Sequence, residues 1–168
     1  MKQTHTKSAA ISLLKKLAYD NFRIIHPTFP VHCIAIPKYN DNTTNGLTKC
    51  IIDFIELSGG QAERINSTGR FIDNRKTFVD VIGRKRSIGT AKWIKPNTTN
   101  GSSDISATIQ GRAVKIEVKC KATGDRYQST AQKSYQQAIE AAGGVYIIAT
   151  DFQTFYEWYV KHFGHENK

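Results

Sequence analysis

Residues 104–119 read Asp-Ile-Ser-Ala-Thr-Ile-Gln-Gly-Arg-Ala-Val-Lys-Ile-Glu-Val-Lys. Apolar and polar residues alternate on both sides of Gln110-Gly111, and this period of two is typical of strands with one buried face. The Gln-Gly pair has the composition of a turn. The stretch therefore predicts a β-hairpin with strands at 104–109 and 112–119, and the remaining elements are expected to pack around it.

Helical patterns lie on both sides of this hairpin. Apolar spacing predicts an N-terminal helix capped by Ser8, a helix at 47–57 capped by Thr44 or Asn45, a helix at 129–142 and a final helix capped by Asp151. Short extended segments are predicted at 31–36, 61–66 and 145–149, and residues 70–94 form a hairpin excursion. We expect an α/β domain at residues 44–168 and a helical N-terminal extension at residues 1–43.

Length and composition exclude several classes of protein. The chain has 168 residues, enough for one ordinary domain, and its 39% hydrophobic content excludes disorder over most of the length. Apolar runs reach about five residues, far below the ~20 of a membrane-spanning helix, and no secretory signal is visible. Three widely spaced cysteines without a CxxC pair argue against a disulfide framework or zinc site, which fits a reducing cytoplasm.

The net charge of +10 is concentrated in one part of the chain. Residues 64–133 contain 15 Lys and Arg against 5 Asp and Glu, whereas the rest contains 9 of each. Such a field favours a polyanionic partner, either a nucleic acid or an anionic membrane surface. The alternative is a solvated basic face that only keeps the protein in solution.

Three charged residues of the hairpin form a candidate site. Glu117 and Lys119 are two residues apart on one strand and share a face, and the turn brings Asp104 to the same end of the hairpin. Two carboxylates suit a hard cation such as Mg²⁺, and the backbone carbonyl of Val118 could add an oxygen ligand. Lys119 could position a water or stabilise charge on phosphorus. Alternatively, Asp104 only closes a turn and the other two residues form a solvated face.

An ordered set of motifs resembles the PD-(D/E)XK nuclease superfamily. These motifs are Gly-Ser-Ser-Asp at 101–104, Ile-Glu-Val-Lys at 116–119, Gln132 in the next helix, and Ala-Ala-Gly-Gly-Val-Tyr at 141–146. More narrowly, the chain is similar to the VRR-NUC branch, which is related to Holliday junction resolvases and is often encoded by phages. The resemblance covers about 70% of the chain, roughly residues 47–163.

The resemblance implies a fold, a site and a cofactor. The implied fold is a restriction-endonuclease-like core, a mixed β-sheet flanked by helices. Asp104 and Glu117 would be metal ligands, Lys119 the catalytic lysine, and Gln132 a supporting residue. The implied cofactor is Mg²⁺, for which Mn²⁺ could substitute, and the implied location is the cytoplasm of a bacterial host or phage-infected cell.

The sequence departs from the superfamily pattern in two places. Ser103 occupies the position where the superfamily name expects Pro, a common variation. Many relatives also begin the first helix with a metal-binding Glu, whereas this chain has Thr44 or Asn45 near that point. Glu63 is a candidate substitute for that third ligand. The alternative for Glu63 is a salt bridge with Arg64 or Lys92.

These observations together predict a Mg²⁺-dependent DNA endonuclease that hydrolyses phosphodiesters by in-line attack of an activated water. Because no base-reading element is identifiable, branched or junction DNA is favoured over a specific sequence, and junction resolution implies a homodimer. The alternatives are a non-catalytic nucleic-acid-binding module and an interaction protein with an acidic partner. The residues predicted to hold DNA phosphates are Arg70, Arg75, Lys76, Arg84, Lys85, Arg86, Lys92 and Lys95.

Overall fold

A computed structural model describes residues 9–66, 69–95, 99–125 and 127–164, so the predicted Ser8 cap lies outside the described residues. The described part forms four α-helices, namely α1 (Ala9–Ile25), α2 (Thr44–Leu57), α3 (Thr130–Ala141) and α4 (Phe152–Phe163). It also forms eight strands, namely β1 (Gln61–Arg64), β2 (Arg70–Asp73), β3 (Lys76–Val79), β4 (Lys85–Ile88), β5 (Ala91–Ile94), β6 (Ile105–Ile109), β7 (Arg112–Val118) and β8 (Val145–Ala149).

The central sheet is mixed. Its strand order is β1-β6-β7-β8, with antiparallel pairing from β1 to β7 and parallel pairing between β7 and β8. The parallel pair requires a crossover connection, and α3 provides it. The predicted α/β class, with a mixed sheet flanked by helices, is confirmed at this level of detail.

The β6–β7 hairpin turns at the two predicted residues. Gln110 and Gly111 have φ of 48° and 77°, as expected for a two-residue hairpin loop with both central residues in the left-handed region. Gly111 adopts this conformation without cost, whereas Gln110 does not. The Gln110 side chain compensates by donating a hydrogen bond of 3.0 Å to the backbone carbonyl of Phe163 at the end of α4.

One face of this sheet forms the core with α2 and α4. The inward residues of β6 and β7 alternate as predicted and are almost fully buried, among them Ile105, Ile116 and Val118. Phe54 of α2 is the centre of an aromatic cluster. Its ring makes edge-to-face contacts, at centroid distances of 4.9–5.8 Å, with Phe152, Tyr156 and Tyr159 of α4.

The N-terminal segment packs on this same core. Leu14 of α1 is fully buried, and Ala10 donates its backbone N–H to the Gln153 side chain of α4 at 3.1 Å. Further along, the buried Asp41 accepts the backbone N–H of Phe152 at 3.0 Å, and its carbonyl accepts the Cys120 thiol. These contacts connect the predicted extension to both helix α4 and the end of β7.

Three local predictions are corrected. Thr43, rather than Thr44 or Asn45, caps α2 by accepting the Gly46 N–H, because Thr43 is the last residue with extended backbone. The first strand of the sheet ends at Arg64 instead of 66. Within 31–36, Val31–Cys33 forms a turn of 3₁₀-helix after Pro30 instead of an extended segment.

The predicted hairpin excursion is a two-stranded ribbon, which we call the arm (residues 70–94). β2 pairs with β5 and β3 pairs with β4, and both pairs keep the same register from Arg70↔Ile94 to Val79↔Lys85. The ladder is interrupted at Gly89, where φ is 110° and an added Cβ would lie 2.5 Å from the Asn74 carbonyl. Within the described ranges, no helix has both the length and the apolar character needed to cross a bilayer.

If α1 belongs to the cooperative core, Leu14→Ala should lower the free energy of unfolding by about 2–4 kcal/mol, because it leaves a cavity under a packed helix. Ile24→Ala on the same helix is the matched control, since Ile24 is 78% exposed, and it should cost less than about 0.5 kcal/mol. Urea denaturation monitored by circular dichroism measures both. Equal stabilities of the two variants would show that α1 is not part of the folding unit.

Candidate metal centre

The candidate site lies on the sheet face opposite the α2–α4 core. Along β7, Lys115 and Glu117 point to this face because they alternate with the buried residues 114, 116 and 118. Helix α3 covers the β8 side of the face, where Tyr135 contacts the ring of Tyr146. The chain thus leaves a sheet surface next to α3 on which polar groups can gather.

The strand register brings Asp104 and Glu117 together. Ile105 pairs with Ile116 in the antiparallel ladder. Asp104, which precedes Ile105, therefore lies opposite Glu117, which follows Ile116. The Val118 backbone N–H donates to Asp104 Oδ2 at 2.9 Å. Since the N–H and C=O of one strand residue point to the same neighbour, the Val118 carbonyl is on the Asp104 side as well. The structure therefore juxtaposes these three predicted ligands.

Glu117 is a buried carboxylate that is only partly satisfied. Its side chain is 3% exposed, and Oε1 accepts a short hydrogen bond from Gln132 Nε2 and lies 3.4 Å from Lys119 Nζ. Within the described residues, Oε2 is buried without any hydrogen-bond partner. Desolvation, followed by the charge of Asp104, raises the pKa of Glu117 to about 7, although Lys119 opposes this shift.

Lys119 is held between two carboxylates. Its ammonium lies 3.2 Å from Asp125 Oδ2 in addition to its contact with Glu117. Burial alone would lower the pKa of Lys119, but the hydrogen bond to Asp125 and the two negative charges raise it above the usual range. Asp125 was not predicted, because it lies in the loop after β7 and no periodic pattern marks it.

Gln132 connects helix α3 to Glu117. Ser129 accepts the Gln132 backbone N–H at 3.2 Å, and the Gln132 side-chain oxygen accepts the Ser129 N–H at 2.8 Å, which completes a capping box. The amide nitrogen of the same side chain donates to Glu117. Gly101 makes this packing feasible, since an added Cβ would lie 2.4–2.5 Å from the Ala131 carbonyl group. The helix cap therefore fixes the side chain that holds the buried carboxylate.

The oxygen donors fit a cation that keeps part of its water shell. Among the described residues, no group of three or more His, Cys, Asp or Glu side chains is placed so that it could hold a metal ion. Mg²⁺ is typically held by one or two carboxylates and retains several waters, so Asp104, the free oxygen of Glu117 and the Val118 carbonyl match its needs. The unpartnered Oε2 of Glu117 is the atom that such a cation would satisfy.

Glu63 is placed beside this cluster and not inside it. It stands opposite Ser106 in β6, two residues along the strand from Asp104. The Ser106 hydroxyl in turn accepts a 2.5 Å hydrogen bond from Lys115. Among the described residues, Glu63 forms no ion pair with Arg64 or Lys92, so the alternative salt bridge is not formed, and the metal-ligand role of Glu63 stays a prediction.

The predicted phosphate-binding residues collect on the arm. Seven of the eight lie within residues 70–94, and Lys95 follows directly. Two of them are held by neighbouring carboxylates. Arg75 pairs with Asp73 at 2.7 Å, and Arg86 pairs with Asp80 at 2.6 Å.

No protein-family model, curated protein or solved structure matches this chain. The functional interpretation therefore rests on the geometry described above.

The raised pKa of Glu117 predicts a pH-dependent stability difference. The protonated Glu117 side chain carries no buried charge. Its contribution to folding stability is therefore fully present below pH 4.5 and is lost as the pH rises through about 7. In chelator, Glu117→Gln should therefore be more stable than the parent at pH 8, by on the order of 1–2 kcal/mol, and should have no advantage at pH 5. Thermal denaturation at the two pH values tests this, with the exposed Glu140→Gln as control. If the difference in stability between Glu117→Gln and the parent is the same at pH 5 and pH 8, a buried charge on Glu117 is contradicted.

Proposed function

We propose that this chain is a Mg²⁺-dependent DNA endonuclease with a restriction-endonuclease-like core, and that it hydrolyses phosphodiesters in branched or junction DNA. The observation that carries the proposal is the carboxylate of Glu117, which is buried, faces Asp104 and contacts Lys119, and which has one oxygen without a partner in the described part of the chain. The α2, β6–β7, α3, β8 arrangement fits the mixed sheet flanked by helices that the motif resemblance implies.

A purely structural role explains this carboxylate poorly. Burying a charged group is unfavourable unless all its lone pairs are satisfied, and a second carboxylate across the hairpin adds repulsion. Among the described residues, Glu117 has a lysine and a glutamine on one oxygen and no partner on the other, so the other oxygen keeps its desolvation penalty. Sites that perform chemistry regularly retain such groups in perturbed environments.

A divalent cation bound here would be held by Asp104, Glu117 and the Val118 carbonyl. Such a cation supplies positive charge that polarises a phosphate and lowers the pKa of an attacking water. Gln132 is a positioning residue in this scheme, because it fixes the rotamer of Glu117 through the α3 cap without facing the substrate. The hydrogen bond from Gln132 is on Oε1, so among the described residues Oε2 of Glu117 is left to bind such a cation.

Lys119 supplies the charge that the phosphoryl group needs. The side chain of Lys119 is 10% exposed, and Glu117 and Asp125 fix its ammonium. Because the ammonium is already held in place, little side-chain entropy is lost when the substrate binds. A fixed cation next to the scissile group stabilises the extra negative charge that develops on the phosphate oxygens. The expected products carry 5′-phosphate and 3′-hydroxyl ends, as the resemblance implies.

DNA is the proposed substrate because the basic excess of the chain lies in the same segment as the site. Residues 64–133 hold the whole net charge of +10. Contacts of Lys and Arg with phosphates depend on salt and largely not on sequence, which suits a nuclease that recognises DNA shape. Mn²⁺ is expected to replace Mg²⁺, since both take oxygen ligands.

Cleavage of labelled linear, forked, flapped and four-way DNA with Mg²⁺ or Mn²⁺ tests the proposal. The parent should cleave a branched substrate, and Asp104→Asn, Glu117→Gln and Lys119→Met should each lower the rate at least about 100-fold. Glu56→Gln is the matched control, because it removes an exposed carboxylate of α2 on the other side of the sheet, and its rate should stay within twofold of the parent.

Two outcomes would contradict the proposal. Equal cleavage by the parent and Asp104→Asn would attribute the activity to a contaminant or to another site. Binding of DNA that survives chelator, without product under any metal condition, would instead support the non-catalytic nucleic-acid-binding module.

A further inference from the structure

The arm (residues 70–94) is a long ribbon that the rest of the fold does not cover. The structure describes all of its residues; three are half-buried, none is buried, and its strands make their main contacts with each other. It carries seven basic and two acidic side chains, a net charge of +5. It also holds eight exposed large apolar side chains, among them Trp93 at 61% exposure and Ile88 at 65%. A ribbon with this surface is typical of a segment that binds a partner.

The two faces of the arm differ in composition. Within each of the two ladders, even-numbered residues of both strands share one face, and the constant register gives the two ladders the same numbering. On that face each pair of the two ladders combines one basic and one apolar residue. These pairs are Arg70↔Ile94, Ile72↔Lys92, Lys76↔Ile88 and Phe78↔Arg86. With Arg84 at the tip, five of the seven cations of the arm lie on this even face.

Four cations of the even face remain available to a partner. Arg86 is engaged by Asp80. Among the described residues, no carboxylate lies within ion-pair distance of the other four, which are Arg70, Lys76, Arg84 and Lys92. All four are exposed, so a polyanion would neutralise them without breaking an existing ion pair.

We propose that the arm lies in the major groove of B-form duplex DNA, with its even face toward the DNA, and grips the duplex away from the metal centre. This major groove is about 12 Å wide and admits a two-stranded β-ribbon. From Arg70 to Asp80 the ribbon spans about 33 Å at roughly 3.3 Å per residue, which is about one turn of duplex. The apolar residues of the even face would contact sugars and thymine methyl groups between the phosphate contacts.

Charge argues against the other occupants of the arm. A second copy of this chain would bring another arm of +5, so pairing between two arms is electrostatically opposed. Double-stranded RNA has a deep and narrow major groove that such a ribbon does not enter. The proposal deepens the proposed function, on which it depends for the choice of DNA as substrate.

The test measures binding without cleavage. Fluorescence anisotropy of a labelled 25-bp DNA duplex is recorded in chelator over a series of salt concentrations. The arm variant is Arg70→Gln/Lys76→Gln/Arg84→Gln/Lys92→Gln. The control is Lys16→Gln/Arg23→Gln/Lys38→Gln/Lys161→Gln, which removes the same charge from exposed positions outside the arm.

The binding constant is plotted as log K against log[salt]. We expect the magnitude of this slope to decrease by about 3–4 in the arm variant and by less than 1 in the control. An RNA duplex of the same sequence should bind more weakly than the DNA duplex. Its salt slope should also differ less between the parent and the arm variant. Equal loss in both variants, equal loss on RNA, or a concentration-dependent dimer that the arm variant abolishes would overturn the proposal. The binding measurement needs no metal, so it is independent of cleavage. A reduced salt slope in the arm variant, without cleavage by the parent, would support DNA binding by the arm and contradict the proposed nuclease activity.

Discussion

The antiparallel pairing of β6 with β7 brings together the two carboxylates of the candidate metal centre. Burial of Ile105 and Ile116 fixes the register, and the left-handed Gln110-Gly111 turn closes it without an extra residue. A shift of the register by one residue would place Asp104 and Glu117 on opposite faces of the sheet and expose the apolar side chains to solvent. The same burial that stabilises the sheet therefore positions the carboxylate pair.

This register places two carboxylates opposite each other, one of them buried. Lys119 and Gln132 offset part of the cost for Glu117, yet both act on the same oxygen. The centre is thus electrostatically incomplete in a way that a hard cation would complete. Helix α3 contributes through its cap, so a local motif at a helix start becomes part of the site geometry. The sheet supplies the predicted ligands, and the helix holds Glu117 in place.

Local patterns predicted the parts of the molecule that depend on local forces. Alternation placed the hairpin and its charged face, apolar spacing placed a helix at 129–142, and the predicted Asp151 cap marks the start of α4. Contacts between distant segments left no such signal. Docking of the amphipathic helix α1 on its own domain was expected, but the contact of Asp41 with an amide 111 residues away was not foreseen. Asp125 was missed for a similar reason, because an irregular loop brings it to Lys119.

Asp104 and Glu117 are proposed to hold a divalent cation together. Electron paramagnetic resonance of Mn²⁺ measures this directly, because free Mn²⁺ gives a strong signal that binding removes. We expect that the parent and Glu56→Gln bind Mn²⁺ in competition with Mg²⁺, and that the Asp104→Asn/Glu117→Gln double variant does not. Undiminished Mn²⁺ binding by the double variant, or none by the parent at millimolar Mn²⁺, would contradict this proposal.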